Sequence, residues 1–495
     1  MPYLSEDKIA AIVESVVSRL QQGETRVPLT APSKDASLAA GFEPKAAPAL
    51  NTPEAVRGAN VGRGVFTDLD AAIEAARTAF HRYNTLGLEK RYAVVAEMRR
   101  EARRHVDTIS RMAIDETGLG RFDQKILKNT LVIDKTPGPE ILVPWAQTGD
   151  DGLTLEEFAP YGVIGAITPT TNPSETIICN GIGMIAAGNA VVFNAHPGAK
   201  KTSAFTVQML NEAIVRAGGP ENLMTCVAEP TIETAQRLMR HPGTRIIVVT
   251  GGPGVVAEAM KSGKKVIAGG PGNPPVVVDE TADLEQAAEG IVKGVSLDNN
   301  IVCCAEKEII AVSEIADRLQ GLMQRHGAYL LSPEECARVE KLVVDGNHPH
   351  KKWVGKDATL ILREVGINPP QGTLIAFAEV PENHPFVQVE MLLPVTGLVR
   401  VGDVHEAIQT AVRVEHGCCH TAVMYSKNIE NLHNMACSVN TTIFCKNAPS
   451  FSGLGLGGEG YTSFTIASPT GEGMTNARHF SRVRRCMLKD YFRIV

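Results

Sequence analysis

The sequence predicts an α/β fold built from two Rossmann-like α/β domains, and three observations carry that reading. Short apolar runs rich in Val, Ile and Ala alternate with amphipathic helical stretches. The alternation occurs in two sets along 495 residues, enough chain for two or three domains. Two of the runs, ending at Thr168 and Thr250, lead through a short turn into a helix start. Strands alternating with helices imply largely parallel sheets covered on both faces.

Taken in order, residues 5–20 place Ile9, Ile12, Val13, Val16, Val17 and Leu20 at i, i+3, i+4, i+7 spacing, which predicts one amphipathic helix with Ser5 as its N-cap. From Gly23 to about Asn60 the chain turns to Pro, Ala, Gly, Ser and Thr without periodicity, the composition of a flexible linker. A tethered helix has no core of its own, so its stripe buries either on the enzyme body or on another protein. Helices follow over 68–85 and 88–116. Strands are expected over 163–168, 190–194 and 245–250, with helices over 175–187 and 202–217. The second set begins at 275–278 and continues through 308–312, 397–401 and 420–425.

Composition excludes several classes. The formal net charge is 49 − 55 = −6 with basic residues scattered, so nothing asks for nucleic acid. No window approaches the ~18 consecutive apolar residues of a membrane span. Ten cysteines without a Cys-x-x-Cys pair or a secretory pattern point to reduced thiols in a cytosolic compartment. His348 and His350 have no accompanying ligand cluster, so no metal is assigned.

Three segments carry chemistry. Asp298-Asn299-Asn300-Ile301-Val302-Cys303-Cys304-Ala305-Glu306-Lys307 sets a thiol between a helical stretch and a strand, where it is placed to react; packing is the competing reading for any single cysteine. For Cys304, whose side chain points away from its neighbour's in extended backbone, packing is the stronger reading. Residues 245–254 form a strand, a glycine turn at Gly251 and Gly252, and a helix start at Pro253; free N–H groups there suit a pyrophosphate, and a plain tight turn fits as well. Thr168-Pro169-Thr170-Thr171-Asn172-Pro173 leaves Asn172 at the C-terminal edge of a sheet. Its amide is suited to donate to an oxyanion, with the Cys303 N–H as second donor; capping the next helix is the alternative.

These segments in this order resemble the aldehyde dehydrogenase superfamily from about residue 60 to the C-terminus. The nearest likeness is to the CoA-acylating propionaldehyde and acetaldehyde dehydrogenases of bacterial microcompartments. It rests on Asp298 to Asn300 with Cys303, Ala305, Glu306 and Lys307, and on the tail segments 453–461, 467–473 and Arg484-Arg485-Cys486. The resemblance implies Cys303 as nucleophile and Asn172 as oxyanion donor, with Thr168, Pro169, Thr250, Gly251, Gly252 and Asn194 at the NAD site. Glu390, in Glu390-Met-Leu-Leu-Pro394-Val395, corresponds to the glutamate that contacts the nicotinamide ribose; a solvent-facing acid before a strand is its alternative. The implied domains are a targeting helix (1–22), a linker (23–60), a cofactor-binding domain (61–274, with 139–159 in an oligomerisation arm), a catalytic domain (275–464) and a C-terminal oligomerisation segment (465–495). Arg482, Arg484 and Arg485 in that segment read as subunit contacts or a solvated face.

Two departures from the superfamily matter. Hydrolytic members carry a water-activating glutamate in a Glu-Leu-Gly-Gly motif before the second domain, whereas 267–275 here is Ile-Ala-Gly-Gly-Pro-Gly-Asn-Pro-Pro, without an acid. A thioester on Cys303 then waits for a thiol such as coenzyme A, which attacks without so strong a base. Where many relatives have Lys-Pro-x-Glu to hold the adenosine ribose, Asn194-Ala-His-Pro stands instead. That leaves NAD versus NADP open and allows one slot to take either a dinucleotide or the ADP part of CoA. The expected reaction joins a short-chain aldehyde, propionaldehyde first and acetaldehyde next, with NAD and CoA to give acyl-CoA and NADH. The resemblance further implies a homo-oligomer, dimer or tetramer, inside a microcompartment and docked to shell or cargo proteins by the N-terminal helix. A catalytically silent cargo or scaffold protein is the reading from another class.

Overall fold

The structure, a computed structural model, describes residues 60–494. The helix expected over 5–20 and all of the linker before Asn60 lie outside the described residues, and Asn60 opens a short strand. Two seven-stranded sheets form the body. The first runs, in spatial order, Asn60–Gly62, Val65–Phe66, Met224–Val227, Ala190–Ala195, Val163–Thr168, Ile246–Thr250 and Lys265–Gly269. It is parallel except where the first two strands pair. Val163–Thr168 and Ala190–Ala195 are buried along their whole length, as strands covered on both faces must be.

Strand order reverses between Val163–Thr168 and Ile246–Thr250, because the chain first winds outward through 190–195 and 224–227 and then returns to the other side. A crevice therefore opens beyond the carboxyl ends of those two neighbours, at Thr168 and Thr250. The second sheet runs Ala328–Leu330, Ile375–Glu379, Val395–Val401, Glu308–Val312, Pro275–Val278, Thr421–Tyr425 and Ile443–Lys446, parallel throughout. One apolar core runs continuously through both sheets, and a smaller one gathers around Trp353. No helix among the described residues is long and apolar enough to cross a membrane.

Three differences from the sequence reading have local causes. The single helix expected over 88–116 is two, Leu88–Arg104 and Val106–Thr117. His105 leaves helical geometry at φ −105°, ψ 9°, with its ring turned back onto the Glu101 carbonyl at 3.1 Å. The arm is a three-stranded antiparallel sheet of Trp145–Gly149, Gly152–Pro160 and Ser481–Lys489, in register from Ser481 opposite Pro160 to Lys489 opposite Gly152. Residues 465–480 are not in that sheet. There Ile466–Ala467 pairs with Gly473–Met474, and Thr470 accepts the Ala268 N–H at 3.0 Å, closing the edge of the first sheet.

Candidate active site

The helix Leu284–Ser296 ends in a turn that is costly for an L-residue chain. Asp298, Asn299 and Asn300 all take left-handed conformations, at φ 47°, 54° and 67°. Asp and Asn tolerate this region best, yet such backbone persists only where the surroundings hold it. Lys307, itself buried, does so by donating to the Asn300 carbonyl at 2.9 Å, the Asn300 side chain at 2.6 Å and the Val302 carbonyl at 3.3 Å. Asn300 Nδ2 in turn donates to the Val295 and Glu306 carbonyls, and Asn299 Nδ2 to the Gly355 carbonyl and Asp357, all at 2.9 Å. The Asp-Asn-Asn run is thus the scaffold that delivers Cys303.

Cys303 is half-buried while Cys304 is wholly buried in the core, which is a packing position. Burial pushes the Cys303 thiol up to about 12, the charge of Glu390 adds to this, and Lys307 opposes it. Glu390 is half-buried rather than solvent-facing, and accepts the Gly272 N–H at 3.4 Å. Burial raises its carboxyl above the usual carboxylate range.

The acid-free connection between the sheets passes against the backbone of Cys303. A Cβ added at Gly272 would come within 2.8 Å of the His420 ring and 2.9 Å of the Cys303 carbonyl oxygen, so the backbone can run there only as glycine. Asn273 beside it spends its amide on the Val387 and Val414 carbonyls at 2.8 and 2.9 Å. His420 is fully buried and burial lowers it to about 4, so its ring is neutral at physiological pH. Its Nδ1 pairs with the Thr421 hydroxyl at 2.9 Å, and Nε2 has no protein partner.

Asn172 occupies the N-cap position of the helix Pro173–Ala186 but makes no side-chain cap bond. Its Oδ1 instead accepts from Lys128 Nζ, and its Nδ2 donates to the Thr171 hydroxyl at 3.2 Å. Lys128 also meets Asp298 at 2.5 Å, so Asn172 and the cysteine loop share one ammonium.

The remaining predicted residues lie on the first sheet. Thr168, Pro169, Thr250, Gly251 and Gly252 gather at the crevice where strand order reverses. Gly252 is open, with nothing within 4 Å of a would-be Cβ, and the Thr168 hydroxyl is buried without a protein partner. Both features suit a dinucleotide, which needs close backbone approach and a donor at the sheet edge. Gly251 is less available, since its N–H donates to the Gly269 carbonyl at 3.1 Å. Thr250 bonds Thr465 at 2.6 Å. Asn194 sits at the end of the next strand, buried, with Oδ1 accepting from Thr234 at 2.6 Å.

Sequence reasoning did not find His420, Lys307's role, or Lys125 and Lys128. The last two had a signal: on the helix Phe122–Lys135 the buried positions are 125, 128, 129, 131, 132 and 133, and the two lysines stand at helical spacing with the apolar ones.

The aldehyde dehydrogenase family model matches residues 47–464. The chain is 49% identical over 439 residues to the acetaldehyde dehydrogenase (acetylating) EutE of Salmonella typhimurium, covering 87% of this chain and 94% of that one. It is 48% identical to the Rhodopseudomonas palustris propionaldehyde dehydrogenase solved with bound CoA and an acylated cysteine, with a TM-score of 0.86 over 87% of this chain and 99% of the other. A propionaldehyde dehydrogenase from the Clostridium phytofermentans fucose utilisation bacterial microcompartment is 45% identical, with a TM-score of 0.86 over 87% and 100% of the two chains.

Proposed function

The chain belongs to the aldehyde dehydrogenase family, and we propose that its own residues run the CoA-acylating reaction, with Cys303 as nucleophile and Asn172 as oxyanion donor. The enzyme oxidises a short-chain aldehyde and hands the acyl group to coenzyme A. The observation that carries acyl transfer over hydrolysis is the segment against the Cys303 backbone: Gly270, Pro271, Gly272 and Asn273 offer no carboxylate to activate water, and Gly272 has no room for one.

Burial favours the protonated Cys303 thiol in the free site, and as the sulfur adds to the aldehyde its proton passes to solvent, which reaches the half-buried side chain. Sulfur attack on the carbonyl carbon gives a thiohemiacetal whose oxyanion accepts from Asn172 Nδ2 and from backbone N–H. Thr168, Pro169, Thr250 and Gly252 would hold a nicotinamide dinucleotide, with Glu390 toward its ribose, and the bound group would supply the acceptor for the hydride leaving that carbon. Cys303 is left as a thioester. His420 Nε2, which has no protein partner, is the group we assign to receive the CoA thiol proton as the CoA sulfur attacks and the Cys303 thiolate leaves. We propose propionaldehyde as the preferred aldehyde, with acetaldehyde next; the ratio of kcat/KM for the two decides.

The arm supports self-association. Val143, Trp145, Val483 and Met487 are about half or more exposed on or beside a sheet with two open edges, the composition of an unformed interface. We read the enzyme as a dimer or tetramer built on this arm, docked within a microcompartment by residues 1–22. Light scattering on a chain lacking 481–495 tests the first, and compartment co-purification of a chain lacking 1–22 tests the second.

The chemistry is tested by mass. Propanal and dinucleotide without CoA should leave the intact protein 56 Da heavier, about the mass of one propanoyl group replacing hydrogen on Cys303. Adding CoA should return the original mass. A protein that never carries the adduct, yet turns over, would refute the cycle.

A further inference from the structure

Two lysines on the helix Phe122–Lys135 have no part in the cycle above. Burying an ammonium group costs several kcal/mol unless it is paired, and Lys125 and Lys128 are both essentially inaccessible, one turn apart on the same face. Asp298 and Glu175, equally buried, balance them charge for charge. The pairing is unequal. Lys125 reaches Asp298 at 3.1 Å and the Thr171 carbonyl at 2.6 Å. Lys128 reaches Asp298 at 2.5 Å, Glu175 at 3.1 Å and the side-chain oxygen of Asn172.

An ammonium carries three donors and no acceptor, and all three partners of Lys128 are acceptors. The Asn172 amide can therefore face it in one sense only, oxygen inward; a flipped amide would set NH2 against NH3+. Burial opposes the Lys128 charge, but Asp298 and Glu175 outweigh it and hold the ammonium protonated above its ordinary value. Nδ2 is left on the other side, where one hydrogen goes to the Thr171 hydroxyl at 3.2 Å and the other makes no hydrogen bond among the described residues. Asp298 meanwhile accepts the Arg121 N–H at 2.7 Å and belongs to the left-handed turn five residues before Cys303. Gly120, at φ 78°, lies so close to the Asp298 carboxylate that any side chain there would displace it.

We propose that Lys128 is a positioning residue for the acyl chemistry: its ammonium sets the Asn172 amide with the donor outward and, through Asp298, ties that donor to the loop carrying Cys303. This rests on the oxyanion role given to Asn172 above. Because an oxyanion forms both when the aldehyde adds and when CoA attacks, the loss of Lys128 slows both half-reactions.

The test is a double-mutant cycle on the full chain, read by the single-turnover rate of NADH formation and by steady-state KM for CoA and dinucleotide. Lys128→Met keeps the chain length and removes the charge. Lys128→Met with Glu175→Gln removes one charge of each sign, leaving Lys125 opposite Asp298, and guards against misfolding of the single variant. Each is expected to slow NADH formation about 10- to 100-fold, less than the ~10²–10³ expected for Asn172→Ala as loss of an oxyanion donor. Both KM values should stay within about twofold, since the interaction lost is made in the transition state. In the Asn172→Ala background the Lys128 changes should cost less than about threefold more, because they act through the amide already removed. Losses that multiply in the combined variant, or an unimpaired Lys128→Met, overturn the proposal and leave the Asn172 role standing. Full speed in Asn172→Ala alone overturns the oxyanion role and this inference with it.

Discussion

The carboxyl edge of the first sheet and the amino edge of the second differ in how they make a site. At the first, Thr168, Thr250 and Gly252 follow their strands, the turns are ordinary, and the crevice comes from strand order alone. At the second, Cys303, Glu390, Asn273 and His420 all precede theirs, on four adjacent interior strands of the sheet. That edge needs three successive left-handed residues and a buried lysine to hold its loop. On the roles proposed above, topology suffices to bind a cofactor, whereas aiming a nucleophile takes strained backbone held by buried charge.

Substitutions should respect that division. The largest effect is Cys303→Ala, which should lower turnover by about 10⁴-fold or more, as for other removed nucleophiles. Dinucleotide affinity, measured by NADH fluorescence titration, should hold because the first edge is untouched. Residual turnover near the parent rate would place the chemistry elsewhere.

His420→Asn comes next. CoA-dependent turnover should fall about 100-fold, within the usual worth of a proton acceptor, while the NADH burst without CoA keeps its rate. A burst slowed equally would make His420 a structural support of the Cys303 loop rather than a partner in deacylation.

At the first edge, Thr168→Val should raise the KM for dinucleotide about 5- to 10-fold through one lost hydrogen bond and leave kcat near the parent value. A kcat loss with unchanged KM would break the comparison, since an edge that only binds would be acting in the transition state.

The smallest effect concerns Glu306, behind the cysteine loop, whose carboxylate accepts from the Ser450 N–H and hydroxyl, both at 2.7 Å. Burial raises it to about 7, from 4.5. The unfolded chain ionises first as pH rises, so the folded state holds more protons and loses stability between about pH 4.5 and 7. Glu306→Gln, which keeps one acceptor, should flatten the fall of Tm over that window; an unchanged slope would assign it to other groups. The thiol adds a rate signature. With Cys303 pushed up to about 12, its alkylation by iodoacetamide should go on climbing above about pH 10, where an ordinary thiol near 8.5 has levelled.

What was legible in the sequence follows from the same contrast. Val163–Thr168 and Ile246–Thr250 announce themselves by apolar runs, and their Thr ends mark the crevice because local pattern and topology agree there. Cys303 was singled out by its neighbours in sequence. Asn172 was placed at the right edge, yet its orientation depends on Lys128, 44 positions away, and no local pattern carries that contact. His420 was unreadable for the same reason: it meets Gly272 only because two strands distant in sequence are neighbours in the sheet. The break at His105 escaped because helical periodicity runs on either side of it with little change of phase.

The central claim, that the acyl group on Cys303 goes to a thiol and not to water, is tested most directly by steady-state NADH formation from propanal with and without CoA. The account predicts one burst of NADH per active site without CoA and sustained turnover once CoA is added. Equal steady rates in the two conditions would contradict it, and would mean that a base absent from the Gly270 to Asn273 segment is activating water.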